Sequence, residues 1–162
     1  MKSMPSPQAL ILSAVGVVVF LVSVPRVHQF ALQDNERDAI SSLLALSGAV
    51  HASEGEPRCE SLPLQSTWDR EMSRRLCDAH QEEKSSLIQR HGYLLELAHH
   101  VDGTPFIRAW PSEHGATGRT AYLLDKEQGL IKHANTGGSW SGTESMRPDG
   151  TEPGWSPKSL GS

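Results

Sequence analysis

The chain has 162 residues, 21% of them charged, and a formal net charge of −4. No large basic surface points to nucleic acid, and no long like-charge block forms an acidic or basic tail. An N-terminal apolar run leaves room for one modest domain with a small core, and 14 Gly with 10 Pro indicate long loops.

Residues 1–8 form a short leader-like segment. The run from Ala9 to Val24, ALILSAVGVVVFLVSV, is uncharged and stops at Pro25-Arg26. As a helix it spans ~24 Å at about 1.5 Å per residue, short of a ~30 Å hydrocarbon core. Continuing through Pro25 with Val27, Phe30, Ala31 and Leu32 supplies the difference, because lipid tolerates a proline kink where neighbours satisfy the freed carbonyl. Lys2 precedes the run, which favours a cytoplasmic amino end and an extracytoplasmic remainder in a single-pass arrangement. A cleaved secretory signal is the competing reading, but in VSVPRVHQ the places that need small residues hold Val22 and Val24.

Beyond the run, Val27, Phe30, Ala31, Ala39, Ile40, Leu43 and Leu44 recur at intervals of three and four, while Asp34, Glu36, Arg37 and Asp38 supply solvent-facing charge. The spacing predicts one transmembrane and amphipathic spine helix over 9–52, embedded at first and one-sided afterwards. Ile40, Leu43 and Leu44 are the residues expected to face the folded domain.

Residues 53–92 read as a loop followed by a short charged helix. SEGEPRCESLPLQST breaks any periodic pattern with Gly and Pro. From Thr67, a candidate N-cap, Trp68, Met72 and Leu76 share one helical face. Cys59 and Cys77 admit two readings. Outside the cytoplasm they are disulfide candidates, closing a loop worth roughly 3 kcal/mol; the alternative is two free thiols.

Residues 93–134 carry four strand candidates: Tyr93 to Ala98, Phe106 to Trp110, Thr120 to Leu124 and Leu130 to His133. HVDGTP and DKEQG supply turn chemistry, with Asp125 opening a hairpin turn, so an antiparallel meander is expected against the helix. The fold class is therefore α+β, a long helix packed on a small antiparallel sheet. The segment 135–162 has few apolar residues to offset its ordering and reads as a flexible tail, with Trp140 or Trp155 docking.

Catalytic and metal chemistry find little footing. His91, His99, His100, His114 and His133 fall in or near the sheet region, yet adjacent His99 and His100 point to opposite strand faces, and the cysteines lack CxxC spacing. No G-x-S-x-G stands between a strand and a helix, the glycines at 115–119 lack a phosphate-loop setting, and Glu82-Glu83 read as solvent-facing. No enzyme activity, cofactor or metal is expected.

Two stretches resemble one family. VSVP followed by NERDAISSLLALSGAV resembles the N-terminal helix of type IV pilins and of type II secretion pseudopilins. In the C-terminal half, Gly92-Tyr93, Ala109, Pro111, Gly115, Thr117-Gly118, Asp125, Gly129 and Ile131 follow a pilin-like pattern in order. The resemblance implies a structural subunit, a minor pilin or pseudopilin, that assembles through its N-terminal helix with other pilin-like subunits and inner-membrane secretion or pilus components. Family spacing places the peptidase junction between Ser3 and Met4, and puts Gln8 where the family carries an acid that pairs with a neighbour inside the membrane. A buried carboxylate demands such a partner; Gln8 offers only neutral hydrogen bonds. The alternative is a membrane-anchored extracytoplasmic interaction module that kept the pilin shape without polymerising.

Overall fold

A computed structural model describes residues 7–52, 76, 78–81 and 87–159. Ser3, Met4, Cys59 and Cys77 lie outside the described residues, as does most of the expected loop and helix at 53–75.

Helix α1, Pro7–Ala52, is continuous over 46 residues with Pro25 inside it, a length of ~69 Å at about 1.5 Å per residue. Its two halves differ in what covers them. Val15, Val17, Val19, Phe20 and Leu21 are 56–67% exposed, whereas Leu32, Ala39, Leu43 and Leu46 are buried. Among the described residues α1 is the one helix long and apolar enough to cross a membrane.

Among the described residues seven strands form one antiparallel sheet in chain order: β1 (His80–Gln81), β2 (Leu87–Arg90), β3 (Tyr93–His99), β4 (Pro105–Pro111), β5 (Ala121–Asp125), β6 (Gly129–His133) and β7 (Ser156–Pro157). The α+β architecture follows. Strands β3 to β6 lie within one residue of their expected bounds. Asp125 opens the β5–β6 hairpin as expected, its Oδ1 accepting from the backbone N–H of Gln128 at 2.5 Å.

The expected charged helix is corrected over its last part, because residues 80–81 and 87–90 are strands. His91 and Gly92 both have positive φ, 44° and 76°, the backbone that a two-residue hairpin turn demands. That turn folds Leu87 and Ile88 back against Glu96 and Leu95 of β3. The buried pair is worth more in the sheet than the local helical preference of the charged residues before it.

Side chains alternate across the strands. On one face Tyr93, Leu95, Ile107, Ala109, Tyr122 and Leu124 pack with Ala39, Leu43 and Leu46 of α1. On the other, Leu94, Trp110 and Ala121 pack with Trp140, and Phe106, Leu123 and Ile131 form a neighbouring cluster; Trp155 touches both. All five β5 residues are consequently buried.

The second face is covered by the C-terminal segment, which corrects the expectation of a flexible tail over 135–159. Apolar area alone would not hold it, and polar ties to the sheet do the rest. Trp110 Nε1–H donates to Gly142 O at 3.0 Å, and Arg108 Nη1 donates to Pro148 O at 3.1 Å. Buried Asn135 brackets Trp140, donating to its carbonyl at 2.8 Å and accepting from its N–H at 3.2 Å. Glu96, 6% exposed, pairs with Arg108 on β4 and with Arg147 on the segment itself. Strand β7 then closes the path along β6.

Candidate functional site

Among the described residues a concentration of polar contacts lies where the second half of α1 meets one end of the sheet. Helical periodicity puts His28, Asn35, Asp38 and Ser42 beside the apolar stripe Leu32, Ala39, Leu43 and Leu46, so both sets address the sheet together. At the end nearer the apolar run, His28 Nε2 lies 3.0 Å from Gly115 O. Asn35 Nδ2 donates to Thr117 O at 2.9 Å. Glu36 accepts from the Arg119 backbone N–H at 3.2 Å and from the Tyr122 hydroxyl at 3.5 Å.

Further along the helix a charged cluster forms. His91 Nδ1 sits 2.5 Å from Asp38 Oδ2, and its Nε2 sits 3.1 Å from Asp78 Oδ2. Arg90 donates from Nε to Asp78 Oδ1 at 2.8 Å and from Nη1 to Ser42 Oγ at 2.7 Å. The imidazolium form of His91 donates to both carboxylates at once; a neutral ring donates to one and turns a lone pair to the other. The Arg90 side chain, through its hydrogen bond, holds the Asp78 carboxyl below the usual carboxylate range.

Behind this cluster burial pushes the Tyr93 and Tyr122 hydroxyls well above the ordinary tyrosine range, and the Glu36 charge adds to it. Both therefore stay protonated donors, Tyr93 to Thr120 O at 2.9 Å. The fit is close enough to require glycine. A Cβ at Gly118 would collide with the Tyr93 hydroxyl and lie 2.6 Å from its Cε2; one at Gly92 would lie 2.6 Å from Thr117 Cβ.

Gln8 is exposed near the start of α1, and Pro25 is exposed within it. Leu43 is fully buried against the sheet and Ile40 packs at the edge of the core. Leu44 is a correction: it is 38% exposed, because the docked stripe runs through Ala39, Leu43 and Leu46 and position 44 lies about 100° further round the helix.

The histidines are dispersed. His91 belongs to the junction, and His99 is exposed. His100 stacks on Phe106 at 4.3 Å and lies 3.7 Å from Asp125 at the opposite end of the sheet. His133 meets Trp140 edge-on at 4.8 Å. Among the described residues no three His, Cys, Asp or Glu side chains gather in a metal-holding arrangement.

Sequence reasoning missed Asn35, Asp38, His91 and Arg90 as junction residues. The available signals were Asn35, Asp38 and Ser42 spaced by three and four alongside the apolar stripe, and the polar-Gly dipeptide His91-Gly92. Comparison with family models, with characterised proteins and with solved structures finds no match for the chain.

Proposed function

We propose that the chain is a pilin-like structural subunit, a minor pilin or pseudopilin of a type IV pilus or type II secretion system, anchored in the inner membrane with its sheet domain outside the cytoplasm. One observation carries the reading. A single unbroken helix is apolar over its first half, with Val15, Val17, Val19, Phe20 and Leu21 uncovered, and becomes the sheet's packing partner over its second. Such a helix joins a membrane anchor rigidly to a folded head, so displacing the anchor displaces the head.

Gln8 favours a second reading, a non-polymerising anchored module that binds partners through its sheet domain. An exposed neutral amide stands where the resemblance expects a carboxylate, and it lacks the charge that would favour docking a neighbour's ammonium group in lipid. A photo-cross-linking residue placed at exposed Phe30 separates the two in intact cells. Cross-links to other pilin-like subunits support the structural subunit; cross-links to lipid alone, with the protein present and membrane-bound, overturn it in favour of the module.

A further inference from the structure

We infer that the loop 112–119 is a membrane-contacting surface whose tip, around Gly115 and Ala116, rests in the phospholipid headgroup layer beside α1. This rests on the membrane-anchor part of the reading above and fixes which part of the head meets the lipid.

The level of the bilayer surface follows from α1. The uncharged run ends at Val24 and is a few ångströms short of a hydrocarbon core of ~30 Å, so the border lies within about one helical turn beyond it. Val27 stands at that level and Phe30 about 9 Å past Val24, 67% and 64% exposed. Bare Val27 suits the lipid side of the border, and bare Phe30 the headgroup layer just beyond it.

The position of the loop follows from its bonds to the same helix. His28 Nε2 meets Gly115 O at 3.0 Å, and Asn35 Nδ2 donates to Thr117 O at 2.9 Å. His28 is four residues past Val24, a rise of ~6 Å, and helical side chains lean towards the amino end, here towards the membrane. A headgroup layer is roughly 5–7 Å deep on each side, so the Gly115 carbonyl falls inside it.

The loop's make-up is compatible with that place. Its tip side chains are short, and its turn is closed internally by Gly115 N–H to Gly118 O at 2.7 Å and Thr117 N–H to Glu113 O at 2.9 Å, so few backbone groups need water. At the same height on α1, exposed Arg26 has no ion-pair partner among the described residues and reaches lipid phosphates by extending along the helix. The partner is thus the bilayer itself, met by a closed loop and the Arg26 guanidinium, with exposed Arg119 at the loop's sheet end. Glu113, the one carboxylate in the loop, is exposed and belongs on its aqueous side.

The test uses the full chain in phospholipid nanodiscs carrying a spin label on a fraction of the headgroups, with amide signals read by NMR. The Gly115 and Ala116 amides are expected to lose most of their intensity. Those of Gly103 and Gly129, in the hairpins at the far ends of β4 and β5, are expected to keep theirs. Equal broadening at both ends, or none at Gly115 with the α1 amides shielded by lipid, overturns the inference alone. Shifts of the loop amides that depend on protein copies per disc, without headgroup broadening, give the loop to a second copy and also overturn it. A chain that fails to enter discs removes the anchor reading along with it.

Discussion

His91 Nδ1 lies 2.5 Å from Asp38 Oδ2, joining the β2–β3 turn to the middle of α1. The ring reaches that point because the positive-φ turn at His91 and Gly92 throws its side chain towards the helix. Its other nitrogen meets Asp78, so one residue ties the spine helix to two separate parts of the domain.

Because both partners are 43% exposed, the Asp38 contact is a modest one of about 0.2–1 kcal/mol. Asp38→Asn is expected to leave the fold intact and to speed hydrogen exchange a few-fold at residues 38–46, as the helix lifts from the sheet more often. Unchanged exchange there would assign the docking to apolar contact alone.

The apolar contact itself is carried by the stripe through Leu43. Leu43→Ala is expected to cost ~2–5 kcal/mol by opening a cavity in the core. Leu44→Ala, one residue along on the open side, is expected to stay within about 1 kcal/mol of the parent. Denaturant unfolding of the two variants, followed by the tryptophan signal, checks the contrast.

The C-terminal segment depends on Glu96. Removing this carboxylate leaves the Arg108 and Arg147 guanidiniums facing each other at a partly buried site, so Glu96→Ala is expected to destabilise by about 1–3 kcal/mol. The segment from Asn135 is then expected to be cut by chymotrypsin at Trp140, which is buried while the segment is docked, far sooner than in the parent.

Acid acts on the junction through Asp78, whose carboxyl is held below its ordinary range first by the hydrogen bond from Arg90. A folded-state pKa below the unfolded one contributes stability that is present above the ordinary aspartate range, about 3.9, and is lost as pH falls through the depressed value. Arg90→Gln is expected to raise the Asp78 midpoint in an NMR carboxyl titration. An unmoved midpoint would exclude Arg90 as the cause.

Much of the architecture was legible because it rests on local signals. The uncharged run, the three-and-four spacing through Leu43, and the turn residues around Asp125 each state their structure within a few positions. What was missed depends on distant partners. The residues 87–90 become a strand because Leu87 and Ile88 find β3, and their charged neighbours gave the opposite local preference. The C-terminal segment holds through Trp110, Arg108 and Glu96, whose readiness to bind it is invisible in its own composition. Asp38 read as solvent charge for the same reason, since His91 is 53 positions away.

The central claim, a pilin-like subunit working through its N-terminal helix, turns on what happens at Ser3 and Met4. The mass of the mature N-terminus, measured on protein from cells with and without a prepilin peptidase, tests it most directly. The account predicts a chain beginning at Met4 when the peptidase is present and an uncut chain when it is absent. An uncut chain in both would contradict processing as a pilin and leave the anchored, non-polymerising module.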